Sequence, residues 1–411
     1  MPPGPRGRRI LAIGAFPFPY PQGSQVFAGE QAQALARAGA QVAFACYGAS
    51  VGRAPEGVAL VRSSQRIAPR TGRSGPSLAK LAADPALVAT VVRAQRARRF
   101  DLALAHNAEA ALVAMAARAC TGLRFVYVAH TLLERELSAY APSSLAPAAD
   151  AAGRALDRLV AGAADGVVAL ARQSERVLAR AARGPLARIP PGLAPSAPPS
   201  EAAQRAACAR HGLAPRGFFL YAGNLDGYQE LALLDASARE LGRDAPPVVV
   251  ATHDASGADR FPNLRVVELD DFAQVRELAF AATALVLARR RAGGFPIKLL
   301  NYMEAARPIV AFADVADGLV DGETALLLGS RDGPRELAAA LRAAAADPAR
   351  ARSLGSAAHE HLRAAHDWPA LAARTLDLVD RALDTRPTAR GSAPVGAHTR
   401  GAAGGDPTRD A

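Results

Sequence analysis

Residues 289–308 read Arg-Arg-Arg-Ala-Gly-Gly-Phe-Pro-Ile-Lys-Leu-Leu-Asn-Tyr-Met-Glu-Ala-Ala-Arg-Pro, and this stretch decides the predicted fold. The apolar run just before it, residues 284–288, predicts a buried strand. Gly293 and Gly294 allow a tight turn with accessible backbone N–H groups, and Pro296 suits the first turn of a helix. A second apolar run, which follows the stretch, predicts another strand. The order is therefore strand, glycine turn, helix and strand.

Lys298 lies in the first turn of the predicted helix. The chain has only two lysines, Lys80 and Lys298, among its 49 Lys and Arg residues. In a parallel sheet such a helix begins at the carboxyl edge, where anionic ligands bind. We therefore expect Lys298 to hold an anionic group at this edge.

The chain opens with a similar unit. Residues 10–15 predict a strand, residues 16–24 a loop, residues 27–38 a helix and residues 41–45 a second strand, as in a Rossmann-like domain. The same alternation restarts at Phe218, and 411 residues are too many for one ordinary core. The sequence therefore predicts an α/β protein with two doubly wound domains.

The segment 293–308 resembles the donor-binding segment of family 4 glycosyltransferases, retaining nucleotide-sugar transferases of the GT-B fold. Gly23-Ser24-Gln25 resembles their donor-phosphate loop, and residues 317–324 resemble a further turn of the family. The resemblance implies two Rossmann-like domains that face each other across a cleft. It also implies a metal-independent enzyme that transfers a sugar, with retention, from a nucleotide sugar to an acceptor hydroxyl. The setting it implies is cell-envelope polysaccharide or glycolipid biosynthesis.

Five regions of the chain follow from composition and from the resemblance. Pro/Ala-rich segments and the restart of the alternation set the first boundaries, and the tail lacks any periodicity. Within the first region, residues 52–78 are rich in Arg, Gly, Ser and Pro and are expected to form a loop. The expected regions are an N-terminal acceptor-side domain (1–195), a linker region (196–215), a nucleotide-sugar domain (216–365), a helix crossing back to the first domain (366–383) and a disordered tail (384–411).

The chain departs from the family pattern at four positions. Two glutamates are usual around the glycine turn, and here Gly293 and Asn301 take their places. An Arg and a Lys usually grip the donor diphosphate, and here Asn224 and Gln229 stand there. Asn301 can still hydrogen-bond a ribose hydroxyl. The diphosphate would then depend on Lys298, with or without the arginine run 289–291, which can equally be a solvated strand end.

His130 ends a predicted strand at 124–129, and the resemblance implies that a histidine here lies against the transferred sugar. We expect His130 and Lys298 to be the catalytic residues, with His106 as a further candidate at the previous strand end. Glu134 and Glu136 either contact the acceptor or form a solvated pair. The donor-binding residues expected from the resemblance are Gly23, Ser24, Gly223, Asn224, Gly293, Gly294, Phe295, Pro296, Ile297 and Asn301.

No cofactor is expected beyond the nucleotide sugar, a UDP- or GDP-sugar acting as co-substrate. His359 and His361 are two apart on a predicted helix and share no face, so they predict no metal site. The three cysteines show no disulfide or zinc spacing, which favours a reducing, cytoplasmic location. No recognition helix or aromatic platform suggests a nucleic-acid partner.

The net charge of +11 is unevenly distributed. Residues 1–195 hold 24 Lys and Arg against 11 Asp and Glu, whereas the remainder holds 25 against 27. This asymmetry predicts reversible contact with an anionic membrane surface, or else an arginine-rich solvated surface. The resemblance implies that the acceptor is a sugar or a lipid-linked molecule. Two other functions stay open: an inactive sugar-binding paralogue that acts as a scaffold, and a sugar-nucleotide epimerase of the same fold.

Overall fold

Two parallel β-sheets, each covered by helices, form the protein. The central strands of each sheet are nearly continuous apolar runs because both of their faces are buried. The computed structural model describes residues 7–20, 23–48, 52–65, 78–142, 144–194, 196–225, 229–269, 271–290 and 293–385.

The first sheet has seven strands, and helices pack on both of its faces. Its strands are β1 (Arg9–Pro17), β2 (Gln41–Tyr47), β3 (Val58–Arg62), β4 (Leu102–His106), β5 (Phe125–Ala129), β6 (Gly166–Ala169) and β7 (Leu186–Arg188). The helices of this half are α1 (Gly23–Arg37), α2 (Leu78–Arg98), α3 (Asn107–Thr121), α4 (Leu133–Tyr140), α5 (Ala146–Ala163) and α6 (Arg172–Leu178).

The second sheet has six strands. They are β8 (Phe219–Ala222), β9 (Val248–Thr252), β10 (Arg265–Glu268), β11 (Ala284–Leu287), β12 (Ile309–Phe312) and β13 (Leu326–Leu328). The helices of this half are α7 (Glu201–Arg210), α8 (Leu231–Leu241), α9 (Phe272–Ala281), α10 (Lys298–Glu304), α11 (Pro334–Ala346), α12 (Pro348–Ala365) and α13 (Trp368–Asp384).

Both sheets have the doubly wound strand order. The first runs β3-β2-β1-β4-β5-β6-β7 and the second β10-β9-β8-β11-β12-β13, with all pairs parallel. The order reverses between β1 and β4 and again between β8 and β11. Ligands of open α/β sheets bind at the carboxyl ends of the strands at such a reversal. The predicted architecture of two Rossmann-like domains is therefore confirmed.

Helix α13 returns to the first half of the chain. The Trp368 ring stacks on Phe27 of α1 at 5.8 Å between centroids, and its Nε1 donates to Glu30 at 3.1 Å. Further along, Asp380 accepts from Arg8 at 2.8 Å. Both ends of α13 are thus tied to the first domain.

Several local predictions were wrong. The expected loop at 52–78 contains the edge strand β3. The Pro/Ala-rich composition up to residue 150 favours a loop, but α5 begins at Ala146 because a proline fits its first turn. Helix α1 begins at Gly23, so Gly23 and Ser24 form its first turn and not a loop. Helices α2 and α9 and strands β7 and β13 were not predicted. The expected disordered tail lies outside the described residues from residue 386 onward.

Candidate active site between the two sheets

The predicted site residues follow five strands at their carboxyl ends. Gly23 comes after β1, His106 ends β4, His130 follows β5, Gly223 follows β8 and the glycine turn at 293 follows β11. Four of these strands flank the two reversals of strand order. Parallel strands place their carboxyl ends on one edge, so each domain contributes a single face to the site.

The glycine turn docks directly on the first domain. The backbone N–H of Leu132 donates to the carbonyl of Gly293 at 2.7 Å, and Thr131 forms an isolated antiparallel bridge with Gly294. A Cβ at position 294 would overlap the carbonyl oxygen of His130, so a residue with a side chain cannot take this place without a backbone shift. The predicted turn is therefore also a point where the two domains meet.

A second contact lies a few residues further along the same segment. Gly23, at the start of α1, faces Ile297, and a Cβ on Gly23 would lie 3.6 Å from the Ile297 Cγ1. The segment 293–297 thus touches the first domain after both β5 and β1. Each of these two residues was predicted to bind the donor, and the structure brings them together.

Lys298 begins α10 and reaches the turn after β8. Its Nζ donates to the Tyr221 hydroxyl at 2.8 Å and lies 4.1 Å from the centre of the Tyr221 ring. The same nitrogen lies 3.4 Å from Oε1 of Gln229. A Cβ at Gly223, whose φ is 150°, would overlap this ammonium. The structure therefore brings together Lys298 and Gly223, each of which was predicted to bind the donor.

The two amides that replace the usual cations bond to each other. Gln229 is buried, and its Nε2 donates to Oδ1 of Asn224 at 3.2 Å. The arginine run contributes differently. The Arg290 backbone N–H donates to Glu230, and its guanidinium lies 3.8 Å from the same carboxylate. Arg290 is thus engaged within its own domain, and Arg291 lies outside the described residues.

His130 and His106 form a buried pair. They are 5% and 1% exposed, and Nδ1 of His106 lies 3.0 Å from Nε2 of His130. Burial lowers the pKa of His106 to about 3. Burial and the neighbouring His106 hold the pKa of His130 well below its usual range. Both rings are therefore neutral near pH 7, and one nitrogen donates the bond that the other accepts.

The ring of Phe27 on α1 packs against this pair, nearly perpendicular to the His130 ring and with the two centroids 4.8 Å apart. A neutral, buried imidazole can donate or accept a hydrogen bond and can exclude water. It does not offer a positive charge to a phosphate. The arrangement therefore suits a group that meets an uncharged sugar, which is the role predicted for His130.

The other predicted donor residues lie around the start of α10. Phe295 is buried and packs 5.4 Å from the His366 ring, so it anchors the segment in the core. Pro296 and Asn301 are half-buried. Helix α10 begins at Lys298 and not at Pro296, which lies one residue before its N-cap.

Glu134 and Glu136 are both engaged inside the first domain. Glu134 accepts from Arg154 at 3.2 Å, and Glu136 accepts from the Thr131 hydroxyl at 2.8 Å. Neither carboxylate is therefore a simple solvated group, as the alternative of a solvated pair would require. Whether either meets an acceptor stays a prediction.

Sequence reasoning missed two features of this site. Tyr221 was taken as one residue of a buried strand, although a hydroxyl two residues before a glycine turn at a carboxyl edge was the available signal. The pairing of His106 with His130 was also missed. Each had been placed at the end of a parallel strand, so the adjacency of β4 and β5 would have predicted it.

In the part of the chain that the structure describes, no three His, Cys, Asp or Glu side chains lie in an arrangement that could hold a metal ion. Within the same residues, no helix is long and apolar enough to span a bilayer.

Two family models match the chain. Residues 21–197 match Glycosyltransferase Family 4, and residues 218–347 match Glycosyl transferases group 1. The chain is a family 4-like glycosyltransferase. The two matches correspond to the two sheets, so the resemblance drawn from the glycine turn is confirmed. None of the curated protein sequences matches this glycosyltransferase.

Solved structures match the glycosyltransferase over most of its length. Sucrose-phosphate synthase from Thermosynechococcus elongatus has 19% identity and a TM-score of 0.73, over 91% of this chain and 98% of that one. HepE of Anabaena, solved with UDP-glucose, has 16% identity and a TM-score of 0.65, over 90% and 99%. WaaG, a glycosyltransferase involved in lipopolysaccharide biosynthesis, has 14% identity and a TM-score of 0.65, over 90% and 99%. At these identities the likeness establishes the GT-B fold.

Proposed function

We propose that this glycosyltransferase moves a sugar from a nucleotide sugar to an acceptor hydroxyl with retention of configuration, without a metal ion or further cofactor. One observation carries the proposal. The ammonium of Lys298 lies beside Gly223 at the carboxyl edge of β8, and the segment that begins α10 docks on His130 at the carboxyl edge of β5. One continuous segment thus carries the cation and contacts the strand end that carries the uncharged hydrogen-bonding group.

The departing nucleoside diphosphate carries the charge that develops in the transition state. In the proposed complex, the ammonium of Lys298 and the backbone N–H groups near Gly223 and Gly294 stabilise that charge. Asn301, half-buried on α10, holds the ribose, and Gly23 and Ser24 close the phosphate side from α1. This assigns roles to Gly23, Ser24, Gly223, Gly294 and Asn301, whereas Phe295 anchors the segment.

His130 meets the transferred sugar in this proposal. Its ring is neutral and buried, and its orientation is fixed by His106 and Phe27. Such a ring can hydrogen-bond a sugar hydroxyl at a position fixed before the donor arrives. A fixed donor or acceptor loses little entropy when the transition state forms, so this arrangement favours turnover.

The preferred donor in this proposal is a UDP-sugar, and a GDP-sugar is the alternative. HepE, a neighbour in fold, was solved with UDP-glucose, which supports that order. The acceptor is a sugar or a lipid-linked sugar used in cell-envelope polysaccharide or glycolipid synthesis. WaaG acts in lipopolysaccharide biosynthesis, and the basic first half of this chain suits an anionic acceptor or surface. The proposed location is the cytoplasm, at the inner face of the membrane.

The test is a set of incubations with labelled UDP-glucose, UDP-N-acetylglucosamine and GDP-mannose, each with a bacterial lipid extract as the acceptor source. Release of the nucleoside diphosphate together with a labelled, extract-dependent product is expected. Release of neither, although the nucleotide sugar binds, would contradict transfer and favour an inactive paralogue. That second candidate is supported by Gly293 and Asn301, which supply no carboxylate where the family pattern has two. Conversion of the donor sugar without any acceptor would identify an epimerase.

A further inference from the structure

We infer that Tyr221 and Gln229 are positioning residues for Lys298, and that they hold its ammonium where the donor diphosphate binds. The lysine on α10 then replaces cations that the turn after β8 lacks. The inference rests on the proposed function, because it assigns how the diphosphate of a nucleotide sugar is recognised. It goes further because it states that affinity for the diphosphate depends on where the positive charge lies, and not on which residue carries it.

Tyr221 fixes the ammonium in two ways. Its hydroxyl accepts a hydrogen bond from Lys298 at 2.8 Å, and its ring lies 4.1 Å from the same nitrogen. The tyrosine is fully buried in β8, so its ring and hydroxyl offer a rigid support. A flexible lysine that is held at both the hydroxyl and the ring loses its rotamer freedom before the ligand arrives.

Gln229 supplies the second fixed point. Its side chain is buried, its Nε2 donates to Asn224 at 3.2 Å, and this bond turns Oε1 toward the Lys298 nitrogen, 3.4 Å away. A lysine built at position 229 would carry its ammonium into the same region. The two positions are therefore alternative sources of one charge.

Gly223 connects the ammonium to the ligand. A Cβ at this position would overlap the Lys298 nitrogen and lie 3.0 Å from the Tyr221 hydroxyl. The ammonium thus lies directly over the backbone of the turn that ends β8. A phosphate oxygen bound to the backbone of this turn would meet the ammonium at contact distance, which places the charge on the diphosphate and not on the base.

The experiment compares nucleoside diphosphates with their nucleosides. Isothermal titration of UDP, GDP and ADP, and of uridine, guanosine and adenosine, is carried out on the wild type and four variants. The variants are Lys298→Met, Tyr221→Phe, Gln229→Ala and the double variant Lys298→Met/Gln229→Lys. Thermal unfolding of each variant reports whether it is folded, and Gln229→Ala provides the positioning test should Tyr221→Phe not fold.

Four results are expected. Lys298→Met weakens binding of the diphosphate by about ten- to a hundredfold, as expected for the loss of a charge-assisted hydrogen bond. Tyr221→Phe and Gln229→Ala weaken this binding by about two- to tenfold, as expected for the loss of a neutral hydrogen bond. Nucleoside affinity stays within about twofold in every folded variant, since the bases are not in contact with the ammonium. The double variant regains most of the affinity that Lys298→Met loses, because the charge returns to its place.

Two outcomes would overturn the inference and are distinguishable. A wild-type protein that binds none of the three diphosphates overturns the proposed function, and this inference with it. A wild type that binds a diphosphate, together with positioning variants equal to it or a double variant that regains nothing, overturns the inference alone.

Discussion

Gly294 shows how much of a single residue's role can be predicted from the sequence. The sequence predicted a tight turn here, and the turn is present. The reason for glycine, however, is the close approach of the His130 carbonyl from the other domain, and no local pattern contains that information. Lys298 is similar: its place in the first helical turn was predictable, whereas its contact with Tyr221 depends on the packing of α10 against β8.

His130→Ala is expected to lower kcat by about tenfold, as for the loss of one neutral hydrogen bond to the reacting sugar. The affinity for free nucleoside diphosphate should stay within about twofold of the wild type, since the residue is proposed to meet the sugar and not the nucleotide. Steady-state kinetics and titration of the nucleotide measure the two quantities. Lys298→Ala is the contrasting control, because it should lose nucleotide affinity. An equal loss of nucleotide affinity in His130→Ala would remove the residue from this role.

The histidine pair predicts a pH dependence of stability. The folded-state pKa of His106 is about 3, below the usual value near 6.5, so the unfolded chain binds more protons between these values. The contribution of His106 to the free energy of unfolding is therefore complete above about pH 6.5 and is lost as the pH falls toward 3. The free energy of unfolding, measured in urea from pH 7.5 to 4.5, should fall less steeply in His106→Gln/His130→Gln than in the wild type. Identical slopes would mean that the pair is not buried as described.

The element scale shows which features sequence patterns capture. Strands β9 and β12 coincide with the short apolar runs 248–252 and 309–312, which the sequence pattern predicts to be strands. Strand β3 was not, since it is a five-residue edge strand inside a segment rich in Arg, Gly and Ser. Helix α2 was missed because it is rich in alanine and arginine and contains Pro85. Tertiary packing, and not local pattern, defines these two elements.

Helix α13 yields a prediction at this scale. A Cβ at Gly192 would lie 2.6 Å from the Trp368 Cδ2, so Gly192→Ala forces the indole away from Phe27 and Glu30. Such overpacking costs about 1–3 kcal/mol, and the thermal midpoint should fall accordingly. Gly329→Ala is the matched control, because a Cβ there lies no closer than 3.6 Å to any atom. Equal midpoints for the two variants would show that α13 does not depend on this contact.

At the scale of the whole molecule, the two sheets could be predicted from the alternation of strands and helices, and their facing arrangement followed from the resemblance to family 4 glycosyltransferases. The contacts that join the sheets could not, because they arise between residues more than 100 positions apart. The asymmetric charge was visible in the composition, and its arrangement around the cleft needed the structure. Exposed arginines occur at both edges of the first sheet: Arg53 and Arg62 near the carboxyl edge, Arg96 and Arg98 near the amino edge.

The positions of these arginines predict which of them contact an anionic membrane. A lipid-linked acceptor requires the cleft to face the bilayer, so the carboxyl-edge arginines should make the contact, at about 1 kcal/mol each. The wild type is expected to sediment with anionic liposomes at low salt and to dissociate near 1 M salt, where screening shortens to about 3 Å. Arg53→Gln/Arg62→Gln should weaken the association by about thirtyfold, and Arg96→Gln/Arg98→Gln should not. A wild type that stays in solution with anionic vesicles at low salt would favour a soluble acceptor and a merely solvated charge.

The cleft between the sheets is proposed to hold a nucleotide sugar. A thermal-shift screen with UDP-, GDP- and ADP-sugars measures this binding. Binding to the folded state alone stabilises it by about 2.7 kcal/mol at a ligand concentration a hundred times the dissociation constant. At least one donor should therefore raise the midpoint of the wild type by about 2 °C or more, and should raise that of Lys298→Ala much less at the same concentration. No shift with any donor, or the same shift in both proteins, would contradict the account.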